Sequence, residues 1–229
     1  MSIFKQGTKV KNDRFVAIIV GESGSGKTSQ CVNLDASKVA LITMEEGLLC
    51  FRKHNYMPRI VADVKTTDDL KMAYMELSKG IAGIEYIFID SLTEIGNMVL
   101  TELKEDPKFS DPKLTLKMYM EYSDKMTKII QVFQKMSNYS VIFTCLSEKE
   151  KDGLVTYDDF NIPGSSVKNN LKGWFDLVLH MKAYRDDDRN DKRIFLTSDA
   201  DSRLAKDRSG ILKEVEEANI ANIIKKIMG

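Results

Sequence analysis

The chain has 229 residues, of which 43% are hydrophobic and 30% are charged, and this length suits one large α/β domain rather than two full-sized domains. The 34 Lys and Arg residues balance the 34 Asp and Glu residues. The chain therefore lacks the overall basic excess typical of proteins that coat duplex DNA, and any basic surface must be local.

Predicted strands and helices alternate along the chain. Short apolar runs predict strands at 15–20, 39–44, 86–89, 140–144, 175–181 and 193–197. Helical spacing of apolar residues predicts helices at 68–79, 91–103, 114–136 and 212–228, and a further helix opening near Lys27. The remaining segments are predicted to be loops at 106–112 and 147–173 and a polar hairpin turn at 185–191.

This alternation predicts an α/β fold with a mostly parallel sheet and helices on both faces. The late hairpin adds antiparallel strands at one edge. We expect a single domain over 1–229, with a core at about 15–210 and a C-terminal helical segment at 211–229.

Cysteine usage and apolar runs indicate the compartment. The three cysteines include no CxxC pair, which argues against a disulfide framework or a zinc site and favours a reducing environment. No stretch approaches the roughly 20 apolar residues of a membrane span, and the first residues lack the apolar run of a signal peptide. We expect a cytoplasmic protein without membrane contact.

A glycine-rich motif follows the first predicted strand. The pattern GxxxxGK(S/T) is matched in full by Gly21, Gly26, Lys27 and Thr28. Glycines allow backbone N–H groups to surround a phosphate, and the lysine adds a positive charge near the β- and γ-phosphates. The motif predicts a nucleoside-triphosphate site. The residues expected to contact the nucleotide are Gly21, Glu22, Ser23, Gly24, Ser25, Gly26, Lys27, Thr28 and Ser29.

Acidic residues end two of the predicted strands. Asp90 follows the apolar strand 86–89, and together with the Thr28 hydroxyl it is the candidate ligand set for Mg²⁺. The alternative is that Asp90 caps the helix that follows it. Glu45 and Glu46 follow the strand at 39–44 and are candidates for a general base. The alternative for this pair is a solvated acidic turn, and period-2 alternation allows only one of the two to face the γ-phosphate.

These residues resemble the RecA-type ATPases, and specifically the small single-domain phage proteins of single-strand annealing and recombination with an AAA/RecA core. The resemblance covers about 15–210. It is carried by four features beyond the glycine-rich motif. They are the glutamate after the second strand, the Ile89-Asp90-Ser91 ending, Ile162-Pro163-Gly164-Ser165 followed by Trp174-Phe175-Asp176, and Ala205-Lys206-Asp207-Arg208-Ser209-Gly210.

The resemblance implies a three-layer RecA-like core and a hydrolase that uses ATP and Mg²⁺. It assigns the catalytic glutamate to Glu45, with Glu46 as the alternative. It also implies a homo-oligomer, a ring or a filament, in which Lys206 and Arg208 reach the γ-phosphate of a neighbouring subunit. The alternative for these two residues is a pair of solvated surface bases. The implied partners are single-stranded DNA and a single-strand-binding protein, in the cytoplasm of a bacterial host if the protein is phage-encoded.

The sequence departs from the family after the strand at 140–144, where the glutamine or histidine sensor is missing and Thr144 or Ser147 would have to replace it. The loop at 147–173 is flanked by lysines that either form a groove for single-stranded DNA or are simply solvated. These are Lys149, Lys151, Lys168 and Lys172. Two other functions use the same glycine-rich motif. One is a nucleotide or small-molecule kinase with Arg185, Arg189 and Arg193 in a lid, and the other is a regulatory assembly NTPase.

Overall fold

The computed structural model describes residues 14–45, 48–186, 188–198 and 202–229. Within these residues the chain forms ten strands and six α-helices. The strands are β1 (Val16–Gly21), β2 (Val39–Thr43), β3 (Ile60–Asp63), β4 (Tyr86–Asp90), β5 (Ser140–Asp152), β6 (Val155–Phe160), β7 (Leu177–Arg185), β8 (Asp191–Leu196), β9 (Lys206–Asp207) and β10 (Val215–Glu217). The helices are α1 (Leu49–Arg52), α2 (Thr67–Ser78), α3 (Leu92–Glu105), α4 (Thr115–Gln134), α5 (Ser165–Trp174) and α6 (Ile220–Met228).

The strands form one sheet in the order β10-β8-β7-β1-β5-β4-β2-β3, with β6 paired to β5 and β9 paired to β7. The central strands from β7 to β3 are all parallel. Antiparallel pairing is confined to β6, β8, β9 and β10. The predicted α/β fold class, a mostly parallel sheet with helices on both faces and antiparallel edge strands, is confirmed.

Both faces of the central strands are buried. On one face Val16, Ile18 and Val20 of β1 belong to the core that includes residues of α2, α3, α4 and α5. On the other face Ala17 and Ile19 pack with residues of α6 and of the short helix that follows the glycine-rich loop. Burial on two faces explains why the strands are continuous apolar runs instead of alternating patterns.

The prediction of a loop at 147–173 is wrong, because this segment forms a β-hairpin followed by a helix. Strand β5 continues to Asp152, turns at Gly153 and returns as β6, and helix α5 follows from Ser165. Gly153 has a φ of 61°, which the tight turn requires and glycine adopts without strain. The alternating charges of this hairpin conceal its strands because neither of its faces is a continuous apolar surface. The Asp152-Gly153 pair was the available signal.

The helix predicted at 212–228 is shorter than expected. Residues Val215–Glu217 instead extend the sheet by pairing with β8, and the helix begins at Ile220 after an Asn219 cap. The edge of β8 offers unpaired backbone groups, and a strand can satisfy them where a helix cannot. Strand β3 and helix α1 were not predicted at all.

Two further segments differ from their predictions in detail. The helix expected near Lys27 is a six-residue 3-10 helix, Thr28–Asn33, in keeping with the weak helix propensity of its Thr, Ser, Cys, Val and Asn residues. The loop at 106–112 contains one short 3-10 helix and leads into a second. The two are Pro107–Phe109 and Pro112–Leu114.

Candidate nucleotide-binding site

The glycine-rich loop leaves the carboxyl end of β1 and turns back tightly to enter the 3-10 helix. Gly24 and Gly26 have φ values of 73° and 102°, a region that other residues adopt only at a cost. Gly21 is needed for a different reason, since a Cβ there would lie 2.7 Å from the Met181 carbonyl oxygen. The loop therefore keeps its backbone exposed towards a ligand only because these positions are glycine.

Lys27 lies inside this loop and is 8% exposed. Its Nζ donates hydrogen bonds to the carbonyl oxygens of Gly21 at 3.0 Å and Glu22 at 2.8 Å. Burial lowers the pKa of Lys27, and the carboxylate of Asp90 acts in the opposite direction. A buried ammonium held by neutral carbonyls would gain more from an anion. The hydroxyl of Ser25 is also buried here, with no hydrogen-bond partner among the described residues.

Three side chains meet beneath the loop. The Thr28 hydroxyl donates to Oδ2 of Asp90 at 2.6 Å, and the Thr144 hydroxyl donates to Oδ1 of the same carboxylate. Asp90 is 3% exposed and Thr144 is fully buried. The cap of α3 is the Ser91 side chain, which accepts from the Glu94 N–H, so Asp90 is not the capping residue.

The strand order explains how Asp90 reaches Thr28. Strand β5 lies between β1 and β4, and Thr144 of β5 is level with Ile19 of β1. The Thr144 hydroxyl links β5 to the Asp90 carboxylate of β4, and its role as a γ-phosphate sensor stays a prediction. Ser147, the other candidate sensor, has a buried hydroxyl without a partner among the described residues.

The Thr28 and Asp90 oxygens suit Mg²⁺, which prefers hard oxygen ligands and keeps several waters and phosphate oxygens in its shell. Two protein oxygens beside a phosphate-binding loop are enough for such a site. The described residues contain no cluster of three or more His, Cys, Asp or Glu side chains that could hold a metal alone. A metal bound here would therefore depend on the nucleotide.

Glu45 follows the carboxyl end of β2, where Thr43 is level with Asp90. Its backbone N–H donates to the Thr43 hydroxyl at 3.2 Å, and its carbonyl accepts from the same hydroxyl at 3.0 Å. Burial raises the pKa of Glu45, and the charges of Asp90 and Glu94 raise it further. Glu45 thus lies near Asp90 and Lys27, while Glu46 lies outside the described residues.

Lys206 and Arg208 lie towards the amino ends of the parallel strands, away from the end that carries the glycine-rich loop. Val178 of β7 pairs with Lys206 of β9 on one side and with Ile18 of β1 on the other. Lys206 is therefore level with Ile18, which is three residues before Gly21 along β1. Lys206 donates to the carbonyls of 172 and 175, and Arg208 forms a 2.6 Å ion pair with Asp176. The chain therefore does not bring these two bases to its own glycine-rich loop.

Ion pairs also occupy part of the lysine set around the β5–β6 hairpin. Lys149 bridges Asp158 at 2.6 Å and Glu22 of the glycine-rich loop at 3.4 Å. Lys168 pairs with Glu148 and Glu150. A groove for single-stranded DNA at these lysines would therefore have to compete with internal ion-pair partners.

The structure brings one residue to the loop that the sequence did not single out there. Arg193 of β8 donates from Nε to the Ser25 carbonyl at 2.9 Å. The sequence suggests Arg193 only as part of a kinase lid, together with Arg185 and Arg189. Its position follows from the pairing of Ala183 with Arg193 in the β7–β8 hairpin, and no local motif signals it.

A cavity of about 400 Å³ lies beside the 3-10 helix, lined by Phe51, Arg52 and Tyr56 among others. The Tyr56 hydroxyl lies 3.7 Å from the Cys31 sulfur of that helix, which places the cavity next to the glycine-rich loop. The other residues that line it are Leu48, Leu49, Asn55 and Met57.

The glycine-rich loop, the buried lysine and the Thr–Asp pair define a P-loop nucleotide-binding protein. The model of the AAA domain family matches residues 14–209, and the chain belongs to this family. Membership implies nucleotide binding and supports nucleotide hydrolysis.

The chain is also similar to a solved structure. The crystal structure of the flagellar accessory protein FlaH from Methanocaldococcus jannaschii is similar, with 12% sequence identity and a TM-score of 0.48, over 88% of this chain and 83% of that chain. The sequence has no significant match among curated proteins. Within the described part of the chain, no helix is long and apolar enough to span a bilayer.

We predict that Thr144→Val lowers ATP turnover by about tenfold, because the Asp90 carboxylate loses one of its two hydroxyl donors and is no longer held towards Thr28. Thr144→Ser is the matched control, since it keeps the hydroxyl, and it should remain within about twofold of the wild type. Steady-state ATPase assays over a Mg²⁺ titration test this. Equal turnover of the valine and serine variants would contradict the positioning role.

Proposed function

We propose that the protein is a Mg²⁺-dependent ATPase whose hydrolytic centre lies at the carboxyl ends of β1, β4 and β2. The observation that carries this proposal is the 2.6 Å hydrogen bond from Thr28 to Asp90. This bond joins Thr28, the residue after the P-loop lysine, to the buried Asp90 carboxylate at the end of β4, a strand that is not adjacent to β1. Two such groups beneath a phosphate cradle have a clear use only around a metal–nucleotide complex.

In the proposed reaction the loop amides and Lys27 hold the β- and γ-phosphates. Glu45 accepts a proton from the attacking water, the water oxygen bonds to the γ-phosphorus, and the bond to the ADP oxygen breaks. The raised pKa of Glu45 makes this carboxylate a better proton acceptor near neutral pH. Bound Mg²⁺, held through Thr28 and Asp90, would neutralise charge on the phosphate oxygens.

We predict that Lys27→Ala abolishes both nucleotide binding and turnover. Glu45→Gln should retain ATP binding but lower turnover by about 10²- to 10⁴-fold, since the amide cannot accept the proton. Nucleotide-binding titrations and ATPase assays on the same preparations separate the two effects. Glu76→Gln, an exposed glutamate on α2, is the control. Full activity of Glu45→Gln would move the role to Glu46 or to a different mechanism.

We also propose that the functional form is a homo-oligomer, a ring or a filament, in which Lys206 and Arg208 act on the nucleotide of a neighbouring subunit. Support comes from their hydrogen bonds to Phe175 and Asp176, which hold both bases towards the amino ends of the parallel strands, whereas the glycine-rich loop follows the carboxyl end of β1. The Arg208–Asp176 pair has both partners more than a third exposed, so it stabilises little and could be exchanged for an intersubunit contact.

We predict that Arg208→Ala and Glu45→Gln subunits, each inactive alone, regain turnover when mixed, because each supplies the residue that the other lacks. The measurement is ATPase rate against mixing ratio at constant total protein. Arg185→Ala, whose side chain is exposed and pairs with Asp191, is a control that should be active unmixed. Mixtures without activity at every ratio would argue against a shared site.

Finally, we propose single-stranded DNA as the polymer on which the protein acts, in recombination or annealing, with a single-strand-binding protein as a further partner. The support is the motif resemblance together with the projecting β5–β6 hairpin, where Lys151 has no ion-pair partner among the described residues. The ion pairs of Lys149 and Lys168 limit this proposal, and a local basic surface would have to form between subunits.

We predict that single-stranded DNA binds at low salt in the presence of Mg-ATP and raises the ATPase rate. Lys151→Glu should weaken binding several-fold through charge reversal. Lys128→Glu on α4, far along the chain from the hairpin, is the control. Gel shifts and ATPase assays with and without DNA provide the test. No binding and no stimulation would remove this function while leaving the ATPase proposal intact.

A further inference from the structure

Arg193 is packed against the P-loop from the side of β8. Its Nε donates to the Ser25 carbonyl at 2.9 Å. A Cβ at Gly26 would lie 3.1 Å from this Nε and 3.3 Å from the Arg193 Cδ. The side chain therefore lies along the part of the loop that surrounds the phosphates, at a position where the loop residue itself has to be small.

Within the part of the chain that the structure describes, no acidic side chain pairs with Arg193. Its neighbours on the hairpin are paired, Lys192 with Asp186 at 3.8 Å and Arg185 with Asp191 at 3.1 Å. Among the described residues, the only hydrogen bond made by the Arg193 side chain is the one from Nε to the Ser25 carbonyl. Nη1 and Nη2 are thus available as donors beside a loop built for anions. A guanidinium in this state is suited to two-point contact with a phosphate.

The strand order decides which phosphates Arg193 can reach. The sheet runs β8-β7-β1-β5-β4, so Arg193 flanks the loop on one side and Asp90 lies on the other. Thr28, Asp90 and Glu45 gather on the β4 side, where the γ-phosphate must lie for hydrolysis. Arg193 therefore faces the portion of the phosphate chain that ADP shares with ATP.

We infer that Arg193 is a nucleotide-binding residue that acts within its own subunit, contacting the phosphates common to ADP and ATP. The inference rests on the proposed ATP site. It gives Arg193 a role distinct from that of Arg208. Arg193 contributes to affinity for both nucleotides in each subunit, whereas Arg208 is proposed to act on hydrolysis across an interface.

Two substitutions separate phosphate binding from simple support of the loop. Arg193→Gln places its Nε2 amide at the same distance along the side chain as the arginine Nε, so the bond to Ser25 can persist while both Nη groups and the charge are lost. Arg193→Met keeps the aliphatic packing and loses every donor. Lys192→Gln is the matched control, one residue away on β8 and on the opposite face of the strand.

The measurement is ADP and ATP affinity by titration in Mg²⁺ buffer, with thermal unfolding of the nucleotide-free variants as a folding check. For Arg193→Gln and Arg193→Met we expect ADP and ATP affinity to fall equally, by about tenfold or more, while Lys192→Gln stays at the wild-type value. Arg193→Lys should be intermediate, because it keeps the charge without the planar fork.

Wild-type affinity of Arg193→Gln together with weakened Arg193→Met would overturn the inference, since it would show that Arg193 only supports the loop. Loss of ATP affinity without loss of ADP affinity would also overturn it. Neither outcome touches the ATP site itself. That proposal fails separately, if the wild-type protein binds no nucleotide or if Lys27→Ala binds as well as the wild type.

Discussion

The hydrogen bonds that converge on the Asp90 carboxylate are the constraint on which the rest of the site depends. Asp90 is buried, and an isolated buried carboxylate would be expensive. The hydroxyls of Thr28 and Thr144 offset this cost. They can do so only because β1, β5 and β4 are parallel and in register, so that their carboxyl ends meet at one edge of the sheet. The register of three strands therefore determines whether the two hydroxyls and the Asp90 carboxylate meet beneath the loop.

The same end of the sheet brings Lys27, Asp90 and Glu45 close together. Burial disfavours the charged forms of Lys27 and Glu45, so it lowers the pKa of Lys27 and raises the pKa of Glu45, and the charge of Asp90 raises both pKa values. Carbonyl oxygens of the loop accept hydrogen bonds from the Lys27 ammonium. Such a site is prepared for a ligand that brings both negative charge and a cation. This preorganisation is the physical basis of electrostatic catalysis at phosphates.

The positive groups divide into two sets by their position on the sheet. Lys27 and Arg193 are close to the glycine-rich loop of their own chain. Lys206 and Arg208 lie towards the amino ends of the parallel strands, where they bond to the two residues just before β7. On the proposed reading, the first set provides binding and the second couples hydrolysis to assembly. A single subunit would then bind nucleotide without completing the reaction, because its own distant bases cannot reach the γ-phosphate.

The sequence by itself determined the features that depend on local chemistry. The glycine-rich motif and the buried strands at 15–20 and 86–89 follow from steric freedom and apolar burial, which act over a few residues. Other features depended on pairing between distant segments. Only tertiary structure showed that β5 lies between Asp90 and Thr28, that Val215–Glu217 completes an edge, and that Arg193 reaches Ser25. These contacts join residues more than fifty positions apart or depend on strand register, and no short-range pattern encodes either.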